Sequence, residues 1–344
     1  MSILRIFSLD LKDFRGIRRI EKGPIKLAKF NVLIGKNNSG KTSVLEALAL
    51  LADPREPMPL TGKTRIQAIK DYHEQQTDSL VYGYSGSATI SYSTGSTTSD
   101  LVLETNGTSE FRTSNPDDVP DSRPYVLEKG TLPIRLGSPP KSLSQIKSAY
   151  YNDDFHEILR NNLMSEANWK MIEKTRAHNT VLKEVINPSI NETFTDVLPH
   201  FVQRPTLQVR KEFPDRTSSY VRVSELGRGV QRVIVPLLIF EAITPSLVLW
   251  DDIEAGMHPS LIKNVLQWLV SRDWQMVIST HSIDVLSVLA DIAPKEAQII
   301  VLSKSPDDVL HYKILDMNTF DELISSQDPR LAAELFFGKG LETP

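Results

Sequence analysis

The run Gly35-Lys36-Asn37-Asn38-Ser39-Gly40-Lys41-Thr42 constrains this chain more than any other feature. It matches G-x-x-x-x-G-K-[ST] in full. Its flanks matter as much as its letters. Phe30–Ile34 before it is apolar apart from Asn31, the pattern of a strand buried on both faces. After it, Val44, Leu45, Leu48 and Leu51 recur at helical spacing, from about Lys41 to Ala52. Pro54, Pro57 and Pro59 then stop the helix. Strand, glycine loop and helix N-terminus in that order make a cradle for phosphate. Gly35 and Gly40 let the backbone turn tightly, and the N–H groups of loop and helix face the anion. Lys36, Asn37, Asn38, Ser39 and Ser43 belong to the same cradle. Lys41 is placed to reach the β- and γ-phosphates, and Thr42 to offer its hydroxyl to Mg²⁺. A second run, Thr61-Gly62-Lys63-Thr64, lacks both the first glycine and a preceding strand and is a decoy.

Leu247–Ser260 reads LVLWDDIEAGMHPS, four apolar residues ending in two carboxylates. A buried strand of this kind delivers an acid to the metal beside a phosphate cradle. Asp251 is the candidate for the Mg²⁺ shell. Asp252 is the candidate to orient or deprotonate the attacking water, and Glu254 supports either. Without the cradle the same letters would read as an acidic strand end in solvent. Ile278–Ser282 reads ISTHS, a further apolar strand ending at His281, whose neutral imidazole could bond the γ-phosphate or the water.

Strands alternating with helices imply a largely parallel sheet. Strands are expected at 3–11 and 16–20, then Phe30–Ile34, Leu247–Trp250, Met276–Ser279, Gln298–Leu302 and Leu310–Ile314, with a last helix near 329–336. Between the halves, residues 60–135 alternate in short stretches (Leu80–Tyr84, Ala88–Tyr92, Asp100–Glu104) and read as an antiparallel meander. Residues 114–140 are Pro-rich and read as loop. Residues 141–198 lack glycine and read as a helical insertion interrupted by Pro188. Strands at 206–213 and 219–223 reopen the core, which continues over 205–303.

The chain has 344 residues and no cysteine, which removes disulfides, thiolate metal sites and cysteine nucleophiles and fits a cytoplasmic setting. No apolar run approaches the ~20 residues needed to cross a bilayer. Net charge is −4, yet the first thirty residues hold eight Lys or Arg against three Asp or Glu. That local excess suits a solvated strand face or contact with phosphate.

The three motifs, in this order and with Leu226-Gly227-Arg228-Gly229-Val230-Gln231-Arg232 before the acidic strand, resemble the ABC-type ATPase heads of SMC, RecF and OLD-like proteins. The Asp13-Phe14-Arg15-Gly16 turn near the start resembles them too. The likeness covers 1–52 and 205–303 well and 53–204 poorly. It implies an α/β P-loop head over 1–344 with a parallel core sheet, an antiparallel β subdomain and a helical insertion. It also implies an ATP-dependent homodimer in which the signature of one subunit meets the γ-phosphate held by the other. Gly227 and Gly229 would then present backbone N–H groups, Arg15 would lie near the phosphates or base, and His281 would be the switch histidine. DNA and a separate nuclease or effector protein are the partners the resemblance raises. Only 63 residues follow His281 (344 − 281), without the clustered carboxylates of an OLD-type nuclease.

Three departures matter. Asp252 stands where relatives often carry Glu, one methylene longer. Gly227 or Arg228 stands where the signature usually offers a serine, and Arg228 could act across the dimer as a cationic finger. The glutamine of the lobe junction has four candidates, Gln67, Gln75, Gln76 and Gln145. Two functional readings stay open: an ATP-hydrolysing switch, in DNA repair or in phage defence through an effector, and a nucleotide-sensing scaffold that scarcely hydrolyses. A P-loop small-molecule kinase would explain the cradle but neither LGRGVQR nor ISTHS.

Overall fold

The computed structural model describes residues 5–51, 58–73, 78–95, 97–105, 109–113, 125–127, 134–136, 145–201, 205–326 and 328–337. Its centre is a run of parallel strands in the order β10 (Ser148–Tyr151), β14 (Leu247–Trp250), β15 (Gln275–Ser279), β4 (Phe30–Ile34) and β16 (Ala297–Lys304). Every residue of β4, β14 and β15 is buried, as expected of strands flanked on both sides and covered on both faces. Helix α1 (Lys41–Leu51) follows β4 and lies against β10, β14 and β15.

Parallel alignment puts the carboxyl ends of these strands along one edge. There β4 runs into Gly35, β14 into Asp251 and β15 into Thr280. Ligands of open α/β sheets bind at that edge.

The other half of the sheet is largely antiparallel. β16 turns back into β17 (Val309–Asp316), which runs parallel to β2 (Ile17–Ile20). β2 pairs antiparallel with β1 (Ser8–Phe14), and β1 pairs with β5 (Ser87–Ser93). β6 (Thr98–Glu104) and β7 (Ser109–Thr113) complete an antiparallel run. The meander is thus hydrogen-bonded into the core sheet through β1.

Several sequence expectations change. Leu80–Tyr84 is not a strand but lies in two short 3₁₀ turns, with Gly83 at φ 62° inside the second and a single bridge from Val81, between them, to Phe14. Tyr125–Leu127 and Ile134–Leu136, expected as loop, pair as short strands β8 and β9; the remainder of 114–140, like Pro54, Pro57, Gln75 and Gln76, lies outside the described residues. Thr61–Thr64 starts a helix: Thr64 caps α2 (Arg65–Tyr72) in a capping box with Gln67. The decoy run is therefore a turn and a cap, and Gln67 is spent in it.

The stretch expected to be wholly helical opens with β10, whose residues Ser148-Ala149-Tyr150-Tyr151 are all buried beside β14. The helices follow: α3 (His156–Leu163), α4 (Glu166–Thr175) and α5 (Ala177–Val181), the last continuing as a π turn through Ile186. Pro188 sits at the start of the next turn rather than breaking one. Leu159, Leu163, Ile172, Val181 and Val185 pack onto the main core around α6 (Arg228–Ile243). The strands at 206–212 and 218–222 join Phe194–His200 in a separate antiparallel sheet, β11–β12–β13, outside the core sheet. Toward the end, α9 (Met317–Ser326) precedes a 3₁₀ turn and α10 (Ala332–Phe337).

Asn31, the one polar residue of β4, is fully buried and fully used. Its side-chain amide donates to the carbonyls of Ala28 and Met276, and its oxygen accepts from Ala28 N and Gln298 Nε2, all at 2.8–2.9 Å. Gln275 of β15 ties Ile6 and Ala28 into the same corner. Replacing Asn31 with Leu strands buried backbone groups. Urea unfolding should show a loss of about 2–4 kcal/mol for Asn31→Leu, with several bonds broken at once.

Candidate active site

Backbone geometry first shapes the loop. Gly35 has φ 153°, and a Cβ there would lie 2.3 Å from the Leu302 carbonyl of β16 and 2.6 Å from Ser39 Oγ. Only glycine fits so close an approach. Gly40, at φ 96°, rests on Ile17 and Leu310. Lys41 is buried and curls back over the loop, its Nζ donating to the carbonyls of Gly35 (3.0 Å) and Lys36 (3.1 Å). Ser39 is buried and Ser43 half-buried, while Lys36, Asn37 and Asn38 are exposed. Among the described residues the buried Ser39 hydroxyl meets no hydrogen-bond partner. No acidic residue occupies the first turn of α1 to oppose one. Beside the loop lies a cleft of about 500 Å³ lined by Ile34, Gly35, Lys36, Asn37, Thr280, His281 and Leu286.

The acidic strand meets this loop directly. Thr42 Oγ1 donates to Asp251 Oδ2 at 2.7 Å, joining residues 209 apart in the chain. Ser279 Oγ donates to Asp251 Oδ1 and accepts from the Asp252 backbone N–H at 2.8 Å, so one hydroxyl aligns both acids. Asp252 is held at φ 47°, sparsely populated for a non-glycine residue and typical of functional sites. His281 Nε2 lies 3.8 Å from Asp252 Oδ1, too far for a direct hydrogen bond. Both oxygens of Glu254 are engaged, one accepting from Thr280 Oγ1 (2.8 Å) and the other from His281 N (2.7 Å). Glu254 therefore braces the histidine turn. Burial pushes the Asp251 carboxyl above its usual range, against the hydroxyls of Ser279 and Thr42, which stabilise its charge. Burial also pushes Lys41 down, opposed by the nearby Asp252, Asp251 and Glu254.

The remaining candidates lie elsewhere. Arg15, at φ 52°, turns its guanidinium to the fully buried Glu46 of α1, which also bonds His73 Nε2 at 2.9 Å. Its described contacts are with that pair and not with the loop. Gly227 caps α6 with open space around it, and Arg228 is exposed at the first turn. Gly229, expected like Gly227 to present its backbone N–H at the helix start, is buried. A Cβ there would lie 2.9 Å from the Gly256 carbonyl, so its backbone packs on the turn after the acidic pair.

Comparison with known proteins agrees with this arrangement. Residues 30–287 match the family described as "AAA domain, putative AbiEii toxin, Type IV TA system". The chain belongs to this family. The AAA-family chain is also 25% identical over 393 residues to the Old nuclease of Escherichia phage P2, covering 95% of this chain and 64% of that protein. It thus spans less than two thirds of the length of the curated relatives it matches. Among solved structures it is similar to an SMC head bound to the C-winged helix domain of ScpA, with TM-score 0.60 and 12% identity over 92% of this chain and 99% of that one. It is also similar to RecF with ATP, with TM-score 0.51 and 12% identity over 91% and 98%. The fold is that of the SMC and RecF heads.

In this AAA-family head, two features escaped the sequence reading. Ser279 was passed over inside ISTHS, because nothing local marks a serine that will bridge two acids on the neighbouring strand. Asn152 leaves the carboxyl end of β10 next to Asp251, whose N–H bonds Tyr151 O at 2.9 Å. It is buried and caps the following turn through Phe155 N. Of the four glutamines considered for the lobe junction, Gln145 is exposed three residues before β10. Next to Asn152, Asp153 pairs with Arg232 of α6 at 2.6 Å. The two signature glycines should separate cleanly in unfolding experiments. Gly229→Ala is expected to cost about 1–3 kcal/mol by crowding the Gly256 turn, and Gly227→Ala no more than about 1.

Proposed function

We propose that this head binds ATP with Mg²⁺ and hydrolyses it slowly, as a nucleotide-driven switch between separated and paired copies. The observation that carries the reading is the Thr42–Asp251 contact, which sets the loop hydroxyl and the acidic strand end 2.7 Å apart. These two oxygens, completed by phosphate oxygens, are the ligand set a Mg²⁺–nucleotide needs. The bound ion would neutralise charge on the transferring phosphate. Gly35–Thr42 would hold the phosphates through backbone N–H groups, with Lys41 exchanging its loop carbonyls for phosphate oxygens. Asp252 Oδ1 and His281 Nε2, 3.8 Å apart, would both bond one water, Asp252 taking its proton as the water attacks the γ-phosphorus and ADP leaves. Glu254 acts as a positioning residue by fixing the His281 turn.

Pairing is supported by Gly227 and Arg228, an open helix start and an exposed cation offered to something outside the chain. A γ-phosphate held by a second copy fits that chemistry, with Arg228 stabilising its charge. The switch would then act on DNA or on an effector protein, in genome maintenance or in phage defence. A nuclease is the effector class suggested by the relative named Old nuclease. No helix is long and apolar enough to cross a membrane among the described residues. The sensor reading keeps two specific supports: Asp252 is a methylene shorter than Glu, and Gly227 brings no hydroxyl.

Steady-state hydrolysis measured against protein concentration tests this. A Lys41-dependent rate that rises faster than linearly is expected, with Lys41→Ala inactive and Arg228→Ala slowed at least about tenfold. A rate strictly linear in concentration would remove the paired site. If Asp252→Glu raises turnover while ATP affinity holds, the short carboxylate is what keeps the wild type slow. Unchanged turnover would discard that explanation.

A further inference from the structure

The second residue of the loop is tied to the last helix. Lys36 is 54% exposed at the cleft, and its Nζ lies 2.9 Å from Oε1 of Glu334, itself 35% exposed. Glu334 belongs to α10, whose Ala332 and Ala333 are buried in the core and which packs on β16. β16 is the strand whose Leu302 carbonyl closes on Gly35. The helix is therefore seated beside the loop, with its carboxylate on the ammonium of a cleft-lining residue.

This arrangement sets two anions against each other. A polyphosphate in the cradle attracts the Lys36 ammonium and repels the Glu334 carboxylate. The two residues come from opposite ends of the chain, 298 positions apart (334 − 36), so no local folding requirement explains the pair. We propose that Glu334 is a positioning residue that holds Lys36 away from the cradle and competes with a nucleoside polyphosphate for it. Binding breaks the pair, and the pair sets a threshold for nucleotide affinity. The competition grows with ligand charge, so it weighs more on a triphosphate than on a diphosphate. The inference rests on the nucleotide-binding reading above and adds a determinant outside the sequence motif.

A double-mutant cycle tests it, with calorimetric affinities for ATP and ADP in wild type, Glu334→Gln, Lys36→Gln and the double variant. Glu334→Gln should bind ATP about two- to five-fold more tightly, the range for a partly exposed ion pair. ADP should gain less. The gain should shrink at high salt and disappear in the Lys36→Gln background. A purely structural role for Glu334 would give the same change in both backgrounds, and that result, or no change in either, overturns the proposal. If wild type binds neither nucleotide, the nucleotide-binding reading fails and this one falls with it. If ATP binds but the cycle shows no coupling, only the role of Glu334 is lost.

Discussion

Three neighbouring parallel strands end at the same edge, and the site exists because they do. Cα registers pair Val277 with Asn31 and Leu249 with Val277, so β4, β15 and β14 arrive in step. Slipping one strand by a residue would turn its side chains to the other face and carry Asp251 away from Thr42. The register is itself fixed from below. Asn31 bonds across to the Met276 carbonyl and to Gln298, while Gln275 reaches Ile6 and Ala28. A fully satisfied polar corner at one end of the sheet thus specifies which atoms meet at the other.

Much of that edge could be read from letters alone, because its signals are local. The loop pattern, the apolar run before it and the helical period after it share one twenty-residue window and agree with each other. Leu247–Trp250 and Met276–Ser279 announce themselves as short apolar runs that end at polar residues. What could not be read depends on partners far away in sequence. Ser148-Ala149-Tyr150-Tyr151 carries no alternation and is too short to distinguish from its helical surroundings; pairing with β14 makes it a strand. The antiparallel strands are legible as strands, yet their attachment to β1 is not. Leu80–Tyr84 alternates like a strand but is bent by Gly83 into turns. Thr64 and Gln67 spelled a capping box all along, masked by the resemblance of Thr61–Thr64 to a phosphate loop.

Glycines illustrate the same division. Gly35 and Gly229 both stand in motifs where a ligand contact is expected, and both are required by close backbone approach inside the chain. For Gly35 the two demands coincide, since the turn that avoids Leu302 also builds the cradle. For Gly229 the close approach is to the Gly256 turn, and the exposed surface at the start of α6 belongs to Gly227 and Arg228.

The contact between Gly229 and Gly256 joins main chain to main chain. Long side chains such as those of Asp153 and Arg232 can absorb a displacement by changing rotamer, but two abutting backbones have no rotamers to change. The turn that carries the acids and the helix that offers Arg228 are therefore connected by a stiff joint with little backlash. The acid-bearing turn and the start of α6 are cut from the same rigid piece, so a displacement of one carries the other with it.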